Sequence, residues 1–296
     1  MPGSRYARRI RTRPAWYGER RLRSADELVG FFRRHFPENN WCFRGHADAS
    51  WRLTSSFERY CLDYGFTRAE APAVEYRLLL DFYRHAAVHA PDSPSTTDLQ
   101  QLLALMQHHG TPTRLLDWSY SPFIATYFAV EIPTRPAAVW ALNSKWLEVE
   151  ANRVIRKTAT HLPAPSEYDE KRDAKTFLKL FMPHLLSTPK SPGSFVSMVN
   201  PVVFNKRLSL QQGVFTAAGD ISRSFEDNLG SLRGTKRNVV KVLIDVPVAQ
   251  EILQLLHRMG INKASLYPGI DGFAWSLRTK WYALKSIGST IRPWHF

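Results

Sequence analysis

The chain has 296 residues, 40 Lys and Arg against 26 Asp and Glu, a net charge of +14 and 44 % apolar residues. This length and apolar content support a buried core and exclude wholesale disorder. No apolar run reaches the roughly 18 residues of a membrane helix, and the opening stretch MPGSRYARRIRTRP lacks the apolar core of a secretory signal.

Residues 1–23 hold eight arginines and one acid, Glu19, which is half of the net charge. Tyr6, Trp16 and Tyr17 are interleaved with them. Arginine grips phosphate and aromatic rings stack on bases, so this basic arm predicts nucleic acid or an acidic protein as partner. The other reading is a solubilising tail, or a segment that packs on its own domain. Ser24-Ala-Asp-Glu27 reads as a capping box. It opens a helix carrying Leu28, Phe31, Phe32 and His35 and closed by Pro37. Trp41-Cys-Phe43 predicts a short strand ending on Arg44-Gly45, with a tight turn at the glycine. The two cysteines, Cys42 and Cys61, allow neither a disulfide framework nor a CxxC zinc pattern, so a reducing cytoplasm is the expected compartment.

A helix is expected over Arg68–Ala90. Asp81, His85 and His89 share one of its faces, but with no fourth ligand nearby no metal is predicted. Leu99, Leu102, Leu103 and Met106 have helical spacing, and Gly110 suits a left-handed stop. Ser121-Pro122 reads as cap and first residue of a helix reaching Val130, and Ala137–Leu142 as a strand. Residues 157–195, rich in proline, read as an irregular insertion with a short helix near Lys171–Phe181. Pro201–Phe204, Val214–Thr216 and Val239–Asp245 follow as strands. A helix from Pro247 carries Ile252, Leu255, Leu256 and Met259 and stops at Gly260; Ser265–Tyr267 reads as a last strand. Helices first and strands later predict an α+β fold in one domain, with a mixed, largely antiparallel sheet. The expected boundaries are a basic arm at 1–23, the domain at 24–275 and a C-terminal extension at 276–296. No pattern sets an oligomeric state.

GxGxxG, HExxH and GxSxG are absent. Gly230-Ser-Leu-Arg-Gly234-Thr-Lys236 is one residue short of a phosphate loop. Three other segments place polar groups among apolar ones. The first is Trp41-Cys-Phe-Arg44-Gly45-His46, followed by Ser50–Ser56, where a strand-end guanidinium suits phosphate or carboxylate. The second is Gln107-His-His-Gly-Thr-Pro-Thr113-Arg114-Leu-Leu-Asp117-Trp-Ser119-Tyr-Ser121-Pro122. It joins two helices, and the second helix's N-terminus favours an anion. The adjacent His108 and His109 cannot both face one site. Asp117 and Ser121 as caps, with Arg114 as the Asp117 partner, is the structural alternative. The third is Arg207-Leu-Ser-Leu-Gln211-Gln212-Gly213-Val-Phe215, where the paired glutamines line a pocket or serve a turn.

Together these segments resemble the FRG domain family, named for a Phe-Arg-Gly triplet that here is Phe43-Arg44-Gly45. The likeness continues at Trp51-Arg-Leu53, Arg59, the long Gln107–Ser119 motif, Ala125-Thr-Tyr-Phe-Ala129, Gln211–Phe215 and Leu266-Tyr-Pro-Gly-Ile-Asp-Gly272. It covers about residues 24–275. The resemblance implies a bacterial or phage-associated cytoplasmic protein of defence or toxin type.

Cys42–Gly45, Asp117–Ser121 with Ala125–Ala129, and Leu208–Phe215 are also similar to the Arg–Ser–Glu pattern of mono-ADP-ribosyltransferases. That likeness implies an ADP-ribosyltransferase-like fold with NAD as substrate. Arg44 would bind the diphosphate, with Gly45, Thr113 and Arg114 beside it, and Ser119 or Ser121 would position the ribose. Gln211 or Gln212 stands where the pattern has its catalytic glutamate, and Asp117 or Asp271 is then the replacement acid. Two other functions fit the residues. One is a nucleic-acid hydrolase with His108 or His109 as base and Asp117 as orienter. The other is a nucleotide or nucleic-acid sensor without catalysis.

Overall fold

Ala137–Asn143 is apolar at six successive positions and all six are buried, because helices cover both faces of the sheet at its centre. The computed structural model describes residues 15–89, 99–158, 193–199 and 206–285. In chain order the strands are β1 (Gly18–Leu22), β2 (Trp41–His46), β3 (Leu115–Ser119), β4 (Ala137–Asn143), β5 (Val196–Val199), β6 (Gly213–Ala218) and β7 (Val239–Ile244). The helices before β4 are α1 (Leu28–His35), α2 (Ser56–Asp63), α3 (Ala71–His89), α4 (Leu99–His108) and α5 (Pro122–Val130). After it come α6 (Ser144–Thr158), α7 (Lys206–Leu210), α8 (Phe225–Gly230), α9 (Thr235–Asn238), α10 (Val246–Arg258), α11 (Lys263–Leu266) and α12 (Ile270–Lys285).

The fold is α+β. Among the described residues the strands form one sheet in the order β1-β7-β4-β2-β3-β6-β5. Only β1 and β7 run parallel; every other junction is antiparallel. Alternation divides the core between two faces. Phe43, Val139, Ala141 and Val242 meet α1, α5 and α10 through Phe32, Tyr127 and Ile252. Cys42, Trp118, Trp140, Leu142 and Val214 meet α4 and α6 through Leu102, Met106 and Leu147 on the opposite face. Among the described residues no helix is long and apolar enough to cross a membrane.

Several local expectations are corrected. The basic arm is not wholly an arm: Gly18–Leu22 is an edge strand in register with Val240–Ile244. Its exposed Glu19, Arg20 and Arg21 conceal a strand by lacking apolar alternation. Trp16 and Tyr17 do not offer free faces to bases, because both pack on Trp140, Trp16 stacked at 6.1 Å and Tyr17 edge-on at 4.8 Å. The capping box does not form. Glu27 accepts from the backbone N–H of Arg23, at 2.5 Å, and α1 starts at Leu28. The helix expected over Arg68–Ala90 is α3 and begins at Ala71. Ser265–Tyr267 is not a strand: Asn262 and Ser265 form a reciprocal cap and Lys263–Leu266 is helical. The boundary at 275 falls inside α12, so residues 276–285 continue a helix. The helix expected at Lys171–Phe181 and the strand at Pro201–Phe204 lie outside the described residues.

Candidate functional site

The sheet is weakest in its middle. β2 and β3 pair at one position, Phe43 with Ser119, while β2 pairs with β4 along its whole length. The seam beside that single pair opens into a cleft of about 240 Å³. Arg44 bridges it. Its Nη1 donates to the Asp117 carbonyl at 2.7 Å and stands 3.6 Å from the Asp117 carboxylate. A side chain thus takes a carbonyl that an uninterrupted ladder would pair. Burial pulls the Arg44 guanidinium below its ordinary value and Asp117 pulls it back; it stays charged. Gly45 makes no turn. It continues β2, and its missing Cβ leaves room for α5, whose Ala125 carbonyl would lie 2.0 Å from that atom.

Behind Arg44 sits His46, whose Nε2 accepts from Arg44 Nε at 3.2 Å. Burial and then the Arg44 charge push the imidazole pKa from 6.5 down to about 3. The unfolded chain therefore takes up this proton below about pH 6.5, and the folded chain resists to about pH 3. Stability is whole above that window and falls as pH drops through it, by up to about 1.4 kcal/mol per pH unit. His46→Gln keeps an acceptor for Arg44 and has no proton to gain. It should flatten the decline in urea midpoint between pH 6.5 and 4; a slope equal to wild type would show that His46 is not the group responsible.

Asp117 is held in place from the α4 side. Gln107 Nε2 donates to Asp117 Oδ1 at 2.5 Å, and Gln107 Oε1 accepts from Thr113 Oγ1, also at 2.5 Å. The Asp117 side chain is still 59 % exposed, so its charge faces the opening. His108, one residue beyond Gln107, lines the cleft, and His109 does not. Burial lowers the His108 pKa, with His109 and Arg207 adding to the effect.

The far wall is the turn from α7 into β6. Gln211 lines the cleft and its side-chain amide donates to the Leu266 carbonyl at 3.2 Å. Gln212 serves the turn, with φ of +47°. Ser119 is buried and ties strand to turn, donating to the Gln211 carbonyl at 2.7 Å and accepting from Ser121 N–H at 3.0 Å. Ser121 caps α5 by accepting from Ile124 N–H at 3.3 Å. The helix lines the cleft with Ala125 and Phe128, from its body, and not with its first turn. Arg207 and Tyr267 close the rim. The guanidinium stands 4.4 Å over the phenol ring and donates to its hydroxyl at 3.2 Å. Gly272 lets α12 dock here, since a Cβ on it would lie 1.9 Å from the Tyr267 carbonyl.

Of the residues singled out from sequence, Arg44, Gly45, His108, Asp117, Ser119 and Gln211 line the cleft. His109, Thr113, Arg114, Ser121 and Gln212 do not. Arg114 is not the partner of Asp117. It is 1 % exposed and bonds both oxygens of Glu75, through Nε at 2.7 Å and through Nη2. Thr113 is fully buried and supports Gln107. Asp271 opens α12 and does not line the cleft, so Asp117 is the one carboxylate among the lining residues. Asp81, His85 and His89 lie on an exposed face of α3, and the described residues hold no cluster suited to a metal. Sequence reading passed over Gln107, Arg207, Phe128 and Tyr267 as site residues, although each stands inside a quoted motif. His46 was equally in view, next to Gly45.

The cleft thus offers two arginines, an imidazole and one carboxylate between aromatic walls, an arrangement suited to an anion carrying a ring. Comparison with curated proteins and with solved structures gives no match. The family model of the FRG domain matches residues 39–138, which contain β2, α4, β3 and α5 and so Arg44, Gln107, His108, Asp117 and Ser119. The segment that builds the seam and half of the cleft is therefore the part of the chain that is similar to the FRG domain.

Proposed function

We propose that the cleft binds NAD or a related nucleotide, and that Asp117 supplies the charge for breaking its bond between base and ribose. The observation that carries this reading is the meeting of Arg44, Arg207 and a single carboxylate in one cleft. The arginines suit a diphosphate. Tyr267 and Phe128 offer rings beside it. In the cleavage step the bond's electron pair leaves with the base and the ribose C1′ gains oxocarbenium character, which a fixed carboxylate stabilises. The acceptor's nucleophile then takes C1′. Consumption of NAD, or modification of a macromolecule, is chemistry that fits a defence or toxin-type effector.

The test is release of nicotinamide from labelled NAD. Asp117→Asn keeps the size of the side chain and removes its charge, and should slow release about 100-fold or more with binding retained. Arg207→Ala should weaken binding itself. An Asp117→Asn rate equal to wild type overturns the catalytic assignment. Absence of both turnover and Arg207-dependent binding overturns the nucleotide reading. RNA cleavage lost in His108→Ala would put a hydrolase in its place. A second reading, binding without turnover, is supported by Asp117 being engaged by both Gln107 and Arg44. Tight, Arg207-dependent binding with no release of nicotinamide would establish it.

A further inference from the structure

Tyr267 is the first ring of a series that leaves the cleft. Lys263 Nζ stands 4.3 Å over Tyr267 and 5.5 Å over Trp275, and the Arg278 guanidinium stands 4.6 Å over Trp275. With Arg207 on Tyr267, cations and rings alternate without a gap from the rim of the cleft onto α12. Lys263 pairs with Glu131, at 3.1 Å, and Asp271 stands in the first turn of α12. Neither Arg207 nor Arg278 has a carboxylate partner among the described residues. Trp275 is 50 % exposed, and Phe273 on the same helix is 52 % exposed. Large rings left in water beside guanidinium groups that meet no carboxylate among the described residues are an unusual surface for a chain to keep.

We infer that this track binds single-stranded nucleic acid, a phosphate against Arg278 and a base stacked at Trp275, and that the strand, reaching the rim of the cleft beside Arg207, is the acceptor for the chemistry of the cleft. Alternating rings and cations match the repeat of base and phosphate in a strand whose bases are free. A duplex hides its base faces, and an acidic peptide would leave Trp275 without a partner. The net charge of +14 brings such a polyanion to the surface. The binding half stands on the track alone; the acceptor half rests on the nucleotide reading given above.

Fluorescence anisotropy of the full chain with a labelled 12-residue oligouridylate, without NAD, tests the first half. Trp275→Ala should weaken binding about tenfold or more. Arg278→Gln should lower the slope of log K against log salt by about 0.7, the loss of one phosphate contact. Both residues are exposed, so neither change empties the core. Affinity unchanged by Trp275→Ala overturns the track, as does equal binding of a duplex of the same length or preferential binding of a polyglutamate peptide. For the second half, the oligonucleotide is incubated with labelled NAD. The ratio of labelled strand to released nicotinamide should fall in Trp275→Ala. An unchanged ratio, or nicotinamide release with no labelled strand, overturns the acceptor role and leaves the binding result standing.

Discussion

Arg114→Met should cost the fold about 3–5 kcal/mol, the largest loss expected from any single change at a polar residue. Arg114 and Glu75 are 1 % and 2 % exposed, and their side chains meet in a two-bond fork. Arg114 Nη1 also donates to the Ala218 carbonyl at 3.1 Å, so the pair joins α3 and β3 to the end of β6. Removing the guanidinium leaves the Glu75 carboxylate inside the protein with neither water nor a counter-ion. Replacing both partners removes that penalty. The double variant Arg114→Met, Glu75→Leu should therefore recover most of the loss, and the difference measures their coupling. Urea midpoints of the four proteins decide it. A loss below about 1 kcal/mol for Arg114→Met would mean that the pair behaves like a surface salt bridge.

Gly45→Ala should destabilise the protein by about 1–3 kcal/mol or more and abolish ligand binding in the cleft. The added methyl would lie 2.0 Å from the Ala125 carbonyl and 2.6 Å from the Ala129 amide nitrogen. Both are backbone atoms of α5, so no rotamer change relieves the clash and the helix must move off the sheet. Ala125 and Phe128 on that helix line the cleft, and Arg44 precedes the substituted residue, so packing and site fail together. The contrast is Gly30→Ala. Gly30 lies in α1, and a methyl group there would meet nothing within 4 Å. Alanine at that position should add up to about 1 kcal/mol through helix propensity. Thermal unfolding of both variants checks the pair. Equal melting temperatures for wild type and Gly45→Ala would show that α5 does not sit where the packing requires.

These two residues also mark the limit of what local pattern conveys. α4 and α5 were legible because apolar spacing, Gly110 and Ser121-Pro122 act within one turn of the residues they control. The α+β class followed from expecting helices first and strands later, although β1 to β4 lie among the early helices. Arg114 read as a binding residue or, in the structural alternative, as the partner of Asp117 three residues away, because sequence shows near neighbours and not Glu75, 39 positions earlier. Gly45 read as a turn because its tight contact is with a helix 80 residues on, and such packing leaves no local trace. β1 was hidden by arginines on an exposed edge. The cleft was half legible: Arg44, His108, Asp117 and Gln211 carry chemistry by residue type. Gln107, Tyr267 and His46 matter through what they touch, and only the fold brings those contacts about.

The single pair between Phe43 and Ser119 has a mechanical consequence. Opening costs least where fewest backbone bonds must break, so the seam is where the sheet should open first. A molecule seated between Arg44 on one half and Gln211 on the other would clamp that hinge. At a hundredfold excess over its dissociation constant it adds about 2.7 kcal/mol to the work of opening. Amide hydrogens of β2 and β3 would then exchange more slowly together, the bound molecule adding a tie across the one junction of the sheet that the backbone leaves nearly unpaired.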